Sequence, residues 1–205
     1  MAYVLGYFAA DGSMYKHKNG GRYIGFYSID LQLIEIVRKL LRVSNKIEVR
    51  RRKPQWQTSY TLQLGSNKVY ERLLNLGFTP NKSLKLQLPN IPQHVFCHFL
   101  RGYFDGDGGV YYQILIRKNR PNPTHHLHLN IRCGNKIFLE SVHALLIKLV
   151  NLKGGSIYFH SGAYSLAYYG KDVIELYSFL YPNQAVPCLS RKRIQLEEGI
   201  KRKGP

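Results

Sequence analysis

Val4-Leu5-Gly6-Tyr7-Phe8-Ala9-Ala10-Asp11-Gly12 returns later in the chain as Leu100-Arg101-Gly102-Tyr103-Phe104-Asp105-Gly106-Asp107-Gly108. The aspartates Asp11 and Asp107 stand 96 residues apart in a chain of 205, so the repeat divides the sequence almost in half. Similarity at such a period names the unit that folds, and it outranks any local reading. The segments after each copy also agree in order. A Tyr-rich extended run comes first (23–27; 110–118 and 126–133), then a helix with apolar periodicity (29–37; 137–142). A strand pair (46–53 with 57–64; 156–160 with 164–169) and a short helix (68–76; 172–180) complete each half. The pattern predicts an α+β fold of two αββαββα repeats, 1–90 and 91–205. They join at Leu88-Pro89-Asn90-Ile91-Pro92, where two prolines interrupt regular structure.

In each copy the small residues sit four apart, Gly6 with Ala10 and Gly102 with Gly106, on one helical face. Two such faces can meet backbone to backbone, which predicts that the repeats pack through these helices on a pseudo-twofold axis. The bulky Tyr7, Phe8, Tyr103 and Phe104 are then expected in the cores. Asp11 and Asp107 close the helices, with Gly12 and Gly108 expected as left-handed caps. A carboxylate is disfavoured at a helix C-terminus, and two brought together repel unless a cation intervenes. Only twelve acids are present, and three of them, Asp11, Asp105 and Asp107, lie in these motifs. An oxygen-liking ion such as Mg²⁺ would relieve the repulsion and suit phosphate chemistry. Taken singly, either Asp-Gly is an ordinary turn dipeptide; only the matched pair points to a site.

Thirty Lys+Arg against twelve Asp+Glu give a formal charge of +18, which calls for a polyanionic partner. Cys97, Cys133 and Cys188 form no CxxC, against both a disulfide framework and a zinc ribbon. No stretch approaches the ~18 apolar residues of a membrane span, so a soluble intracellular protein is expected.

Several strands alternate with period two, and their polar face is rich in hydrogen-bonding groups. Lys46, Arg50 and Arg52 share one face; so do Gln57, Ser59, Thr61 and Gln63; Tyr111, Gln113 and Arg117; and His126, His128, Asn130 and Arg132. A solvated sheet face usually mixes Lys with Glu, and these runs have almost no acid. They suit base edges in the major groove, where a β-ribbon can lie. His125-His126-Leu127-His128 has no Cys pair or nearby carboxylate to complete a zinc site. The basic runs 190–193 and 201–203 suit phosphate clamping or a solvated end equally.

The two nonapeptides resemble the LAGLIDADG motifs of homing endonucleases, specifically the single-chain, two-motif kind, and the resemblance spans essentially the whole chain. It implies two sheets forming a saddle over a long, asymmetric duplex, and a double-strand break made by metal-dependent phosphodiester hydrolysis with short 3′ overhangs. The acidic residue near each motif's end holds the metals, which maps to Asp11 and Asp107, with the preceding Ala10 and Gly106 counted in the same site. Mg²⁺ is the implied cofactor, with Mn²⁺ substituting and Ca²⁺ binding without cleavage. One lysine per repeat assists: by chain order Lys82, or Lys85 if the register slips, and Lys192. Ala9 stands where the second motif keeps Asp105, a position that is not the usual metal ligand. The expected partner is double-stranded DNA, bound by a monomer. Rival readings are an RNA maturase acting on intron RNA and a non-cleaving regulator. Without a leading Cys or closing His-Asn the chain reads as a free-standing, intron-encoded enzyme and not as an intein.

Overall fold

The apolar residues Tyr3, Val4, Tyr7 and Phe8 wind into α1 (Ala2–Asp11) and are buried to 4% exposure or less. The chain then enters β1 (Gly12–Lys16) with no intervening turn. A computed structural model describes residues 1–51, 55, 57–116 and 122–203, with only the backbone of residue 203. After β1 come β2 (Arg22–Ser28), α2 (Leu31–Leu41), β3 (Ile47–Arg50), β4 (Ser59–Gly65) and α3 (Asn67–Asn75). The second series runs α4 (Phe96–Asp107), β5 (Gly108–Leu115), β6 (Thr124–Cys133), α5 (Lys136–Val150), β7 (Ser156–His160), β8 (Ala163–Tyr169), α6 (Lys171–Leu180) and α7 (Ser190–Lys203). The αββαββα order is therefore present twice, with α7 added to the second copy. Two antiparallel four-stranded sheets result, ordered β1-β2-β4-β3 and β5-β6-β8-β7.

The chain divides into two compact units, Met1–Gly106 and Asp107–Pro205. This division lies beyond the repeat boundary at 90/91, because nearly all of α4 belongs with the first unit. In that unit one sheet face carries Met14, Ile24, Phe26, Leu62 and Leu64 against Leu33, Ile34 and Val37 of α2 and Tyr70 and Leu73 of α3. Phe8 meets Phe26 and Phe78 edge-on at 5.8 and 5.3 Å, anchoring α1 to this core. Ser66 caps α3 by accepting from the Val69 amide at 3.3 Å.

The second unit repeats the plan with Leu127, Leu129, Ile131, Leu166 and Tyr168 under α5 and α6. Its extra helix α7 lies close on β6: a Cβ at Gly199 would fall 2.6 Å from Leu127 Cδ1. Arg193 and Glu197 of α7 form an i,i+4 ion pair at 2.9 Å, and the Tyr177 hydroxyl donates to Glu197 at 2.6 Å. The Tyr177 hydrogen bond, followed by that of Arg193, holds the Glu197 carboxyl below its usual range. A depressed carboxyl stabilises above the unfolded-state pKa, and this contribution disappears as pH falls through the folded-state value. Glu197→Gln should therefore lower the melting temperature at pH 7 and leave it unchanged near pH 3, as thermal unfolding at both pH values would read out.

Two sequence expectations are corrected. Gly12 is not a left-handed cap: its φ of −79° and ψ of 153° are extended. Gly108 likewise has no positive φ and starts β5. Glycine is needed at position 12 for room, since a Cβ would lie 2.1 Å from Phe8 Cδ2 and 2.5 Å from Phe8 O. Nor is the polar sheet face uniformly wet. Thr61 and Asn130 are only 3% and 6% exposed. Thr61 lies between Tyr27 and Glu48 on neighbouring strands, and Asn130 lies opposite Gly109 beneath larger neighbours.

Candidate acidic site and nucleic-acid interface

α1 and α4 meet through their small residues. A Cβ on Gly6 would fall 1.8 Å from the Phe99 carbonyl oxygen, and one on Gly102 would fall 2.0 Å from that of Tyr3. Only glycine permits backbones this close, as the four-residue spacing predicts. Gly106 continues the seam: its missing Cβ would lie 2.5 Å from Ala10 Cβ and 3.0 Å from Asp11 Oδ2. The Asp11 carboxylate thus rests against the residue that precedes Asp107.

A hydrogen bond crosses the same seam. The Tyr3 hydroxyl donates to Asp105 Oδ2 at 2.7 Å, with both side chains buried. The Arg101 guanidinium, fully buried, lies 5.7 Å from the centre of the Tyr3 ring and contacts His98 Nδ1 at 2.8 Å. In the repeat register Tyr3 corresponds to Phe99 and Asp105 to Ala9. Hydroxyl and carboxylate are both present at one of the two equivalent places and both absent at the other, so neither is buried without the other.

Lys82 is buried at 6% exposure in a short 3₁₀ turn, Lys82–Leu84. Its ammonium donates to the carbonyl oxygens of Gly12 at 2.6 Å and Ala10 at 3.3 Å, bracketing Asp11, and lies 5.5 Å from the Phe8 ring centre. Lys85, the alternative in the sequence, is exposed. Lys192, in the first turn of α7, is likewise buried at 4%. Burial, and after it the Asp11 charge, pushes the Tyr7 hydroxyl well above its usual range. Lys82→Met, of similar length, removes the cation and both hydrogen bonds. Any activity centred on Asp11 should fall about ten- to a hundredfold, with the melting temperature lowered by a few degrees in calorimetry.

The polar faces hold most of the side chains expected on them. Ser59, Thr61 and Gln63 share a face with Glu48 and Arg50, while Tyr111, Gln113, His126, His128, Asn130 and Arg132 share the equivalent face in the second unit. Lys46, Arg50, Gln57 and Gln113 are exposed. Arg52 and Arg117 lie outside the described residues. Arg132 is partly committed: it donates to the carbonyls of His160 and Ser161 in the β7–β8 turn, at 3.1 and 3.3 Å. Ser28 and Cys133 end equivalent strands and accept from the amides of Asp30 and Asn135, a helix-entry role.

Sequence reading named Tyr111, His126 and His128 on these faces but missed the tyrosines beside them. Tyr15 stacks on Tyr23 at 5.3 Å, and Tyr111, His128 and Tyr169 form a ladder across three strands at 4.7 and 5.5 Å. His128 is held below its usual pKa by burial and then by the nearby His126. Three tyrosines stand two residues after a glycine and lie over it: the rings of Tyr23, Tyr27 and Tyr111 occupy the space beside Gly21, Gly25 and Gly109. The Gly-x-Tyr spacing is the signal that would have found Tyr23 and Tyr27.

Among the described residues no three His, Cys, Asp or Glu side chains gather as a metal site. A cation held here would rest on aspartate and backbone carbonyl oxygens, a hard set that fits Mg²⁺ and leaves positions for water and phosphate. No helix among the described residues is long and apolar enough to cross a membrane.

Residues 1–76 match the family model described as LAGLIDADG-like domain. The whole chain has the fold of solved LAGLIDADG homing endonucleases. It is similar to I-WcaI bound to its DNA recognition sequence (18% identity, TM-score 0.67, covering 95% of this chain and 84% of that one). It is also similar to I-LtrWI bound to target DNA (14% identity, TM-score 0.62, covering 98% and 94%). I-DmoI in complex with DNA and Mn matches at 20% identity and a TM-score of 0.58, covering 89% and 96%. No curated protein matches the chain significantly.

Proposed function

From a chain whose first 76 residues are a LAGLIDADG-like domain and whose fold is that of the homing endonucleases, we propose a site-specific DNA endonuclease. It acts as a monomer of two repeats, 1–90 and 91–205, on a long asymmetric duplex, and it leaves short 3′ overhangs. The observation that carries the reading is the buried Lys82 ammonium bonded to the two carbonyls that bracket Asp11, at the tip of a helix seamed to its own repeat copy. Burying an ammonium is costly, and its two hydrogen bonds fix this one on either side of Asp11.

Asp11 and Asp107, with the carbonyls of Ala10 and Gly106, would hold divalent cations; the Ala10 oxygen has a second lone pair beyond the one Lys82 uses. When bound, Mg²⁺ or Mn²⁺ supplies a lowered water pKa and neutralises charge on the phosphate oxygens, while Ca²⁺ supports binding alone. Lys82 and Lys192 stabilise the charge that grows on the non-bridging and leaving oxygens. The polar sheet faces, with their tyrosines and imidazoles, dock on base edges, and the +18 charge draws the duplex in.

Incubating the purified protein with a randomised duplex library and Mg²⁺ tests the reading. Double-strand products at a narrow set of sequences are expected. Retention of DNA without cutting would favour a regulator. Preferential retention of structured intron RNA would favour a maturase.

A further inference from the structure

We propose that Asn130 reads one adenine in the part of the target that faces the second unit, and that the Tyr111 ring covers it until DNA binds. The inference rests on the endonuclease function proposed for the chain and names a base contact within it. Asn130 lies in mid-strand on the polar face of β6 and is 6% exposed. Its Oδ1 accepts no hydrogen bond from any described residue. A buried acceptor without a donor destabilises the free protein, and such an atom calls for an explanation outside the fold.

The surroundings supply one. Asn130 pairs in register with Gly109 of β5, two residues past Asp107. Because Gly109 has no side chain, the space above it is left to its neighbours. A Cβ there would lie 2.6 Å from Asn130 Oδ1 and 2.8 Å from Tyr111 Cε2, so the orphan oxygen and the tyrosine ring share that space. Tyr111 is itself 50% exposed and rests on His128 by ring stacking at 4.7 Å and 11°. A half-exposed ring held from one side can turn away, and Asn130 then faces the same direction as Gln113, His126 and Arg132.

The chemistry of the missing donor selects the base. In the major groove only adenine N6 and cytosine N4 donate, and a carboxamide matches adenine twice, Oδ1 with N6–H and Nδ2–H with N7. In the first unit the register position equivalent to Asn130 is Gly25, paired with Ser13. The contact therefore has no counterpart there, and it contributes to the asymmetry of the target.

The test uses the full chain. Wild type and Asn130→Ala are each selected on a randomised duplex library in Ca²⁺, and their melting temperatures are compared without DNA. The wild type should require adenine at one position. Asn130→Ala should lose that preference about ten- to a hundredfold, keep its preferences elsewhere, and melt no lower than wild type. A second variant, Tyr111→Ala, should keep the adenine preference. An adenine preference unchanged in Asn130→Ala would overturn the inference. So would a lowered melting temperature with uniform weakening on all sequences, which would mean that Oδ1 holds a structural water. A wild type that selects no sequence at all would remove the endonuclease function first, and this contact with it.

Discussion

Asp11→Asn should lower double-strand cleavage by about a thousandfold or more, and Asp107→Asn should do the same, while Kd for the specific duplex in Ca²⁺ changes by less than about threefold. The carboxamide keeps the shape of the carboxylate and removes the charge that would retain a cation. The base contacts proposed for the sheets are untouched by either change, which is why binding and cutting should separate. Asp11 is half-buried against Gly106, with Lys82 bonded on either side of it. Asparagine keeps the volume of the side chain at this half-buried position, and the melting temperature should fall by no more than a few degrees. Supercoiled plasmid carrying one target reads the outcome: linear product for wild type, none for either variant. Linear product at the wild-type rate from either would remove the metal assignment.

Gly6→Ala and Gly102→Ala should each destabilise the protein by about 3 kcal/mol. The atoms a new methyl would strike are the backbone carbonyls of Phe99 and Tyr3, at 1.8 and 2.0 Å, and a carbonyl fixed within a helix cannot swing aside. Relief requires the helices to move apart, which opens a gap along the seam and loosens the Tyr3–Asp105 bond. At this chain length the loss corresponds to about 6–12 °C in melting temperature. Ala10→Gly, on the same seam but creating space, should cost less than about 1 kcal/mol, chiefly in helix propensity. Calorimetry on the three variants separates close packing from ordinary helix-start glycines, which would tolerate alanine.

The repeat, the order of elements and the close approach at Gly6 and Gly102 were legible because each rests on spacing alone. Gly12–Lys16 was not legible as a strand, since it comes directly after α1 and its Gly12 reads as a helix cap. Lys82 was reachable only through the family resemblance, which chain order mapped onto it, and its burial depends on how residues far apart in sequence come together. Alternation assigned Thr61 and Asn130 to the correct face and misjudged their exposure. Exposure within a sheet is set by cross-strand neighbours, and register is invisible to a single strand's pattern. The Tyr3–Asp105 bond was out of reach for a similar reason: it joins residues 102 positions apart.

The single Tyr3–Asp105 pair, set against Phe99 and Ala9 at the mirrored place, makes the two helices unlike partners. Were α4 to meet the α4 of another molecule, Phe99 would be pressed on a buried carboxylate; α1 meeting α1 would seal a phenol hydroxyl against a methyl group. Self-association through this seam is thus penalised in both possible forms. A chimera that joins part of this chain to part of another protein of the same fold inherits the same rule: a donor that replaces α1 must bring a hydroxyl to Asp105, or the graft must change Asp105 to an apolar residue as well.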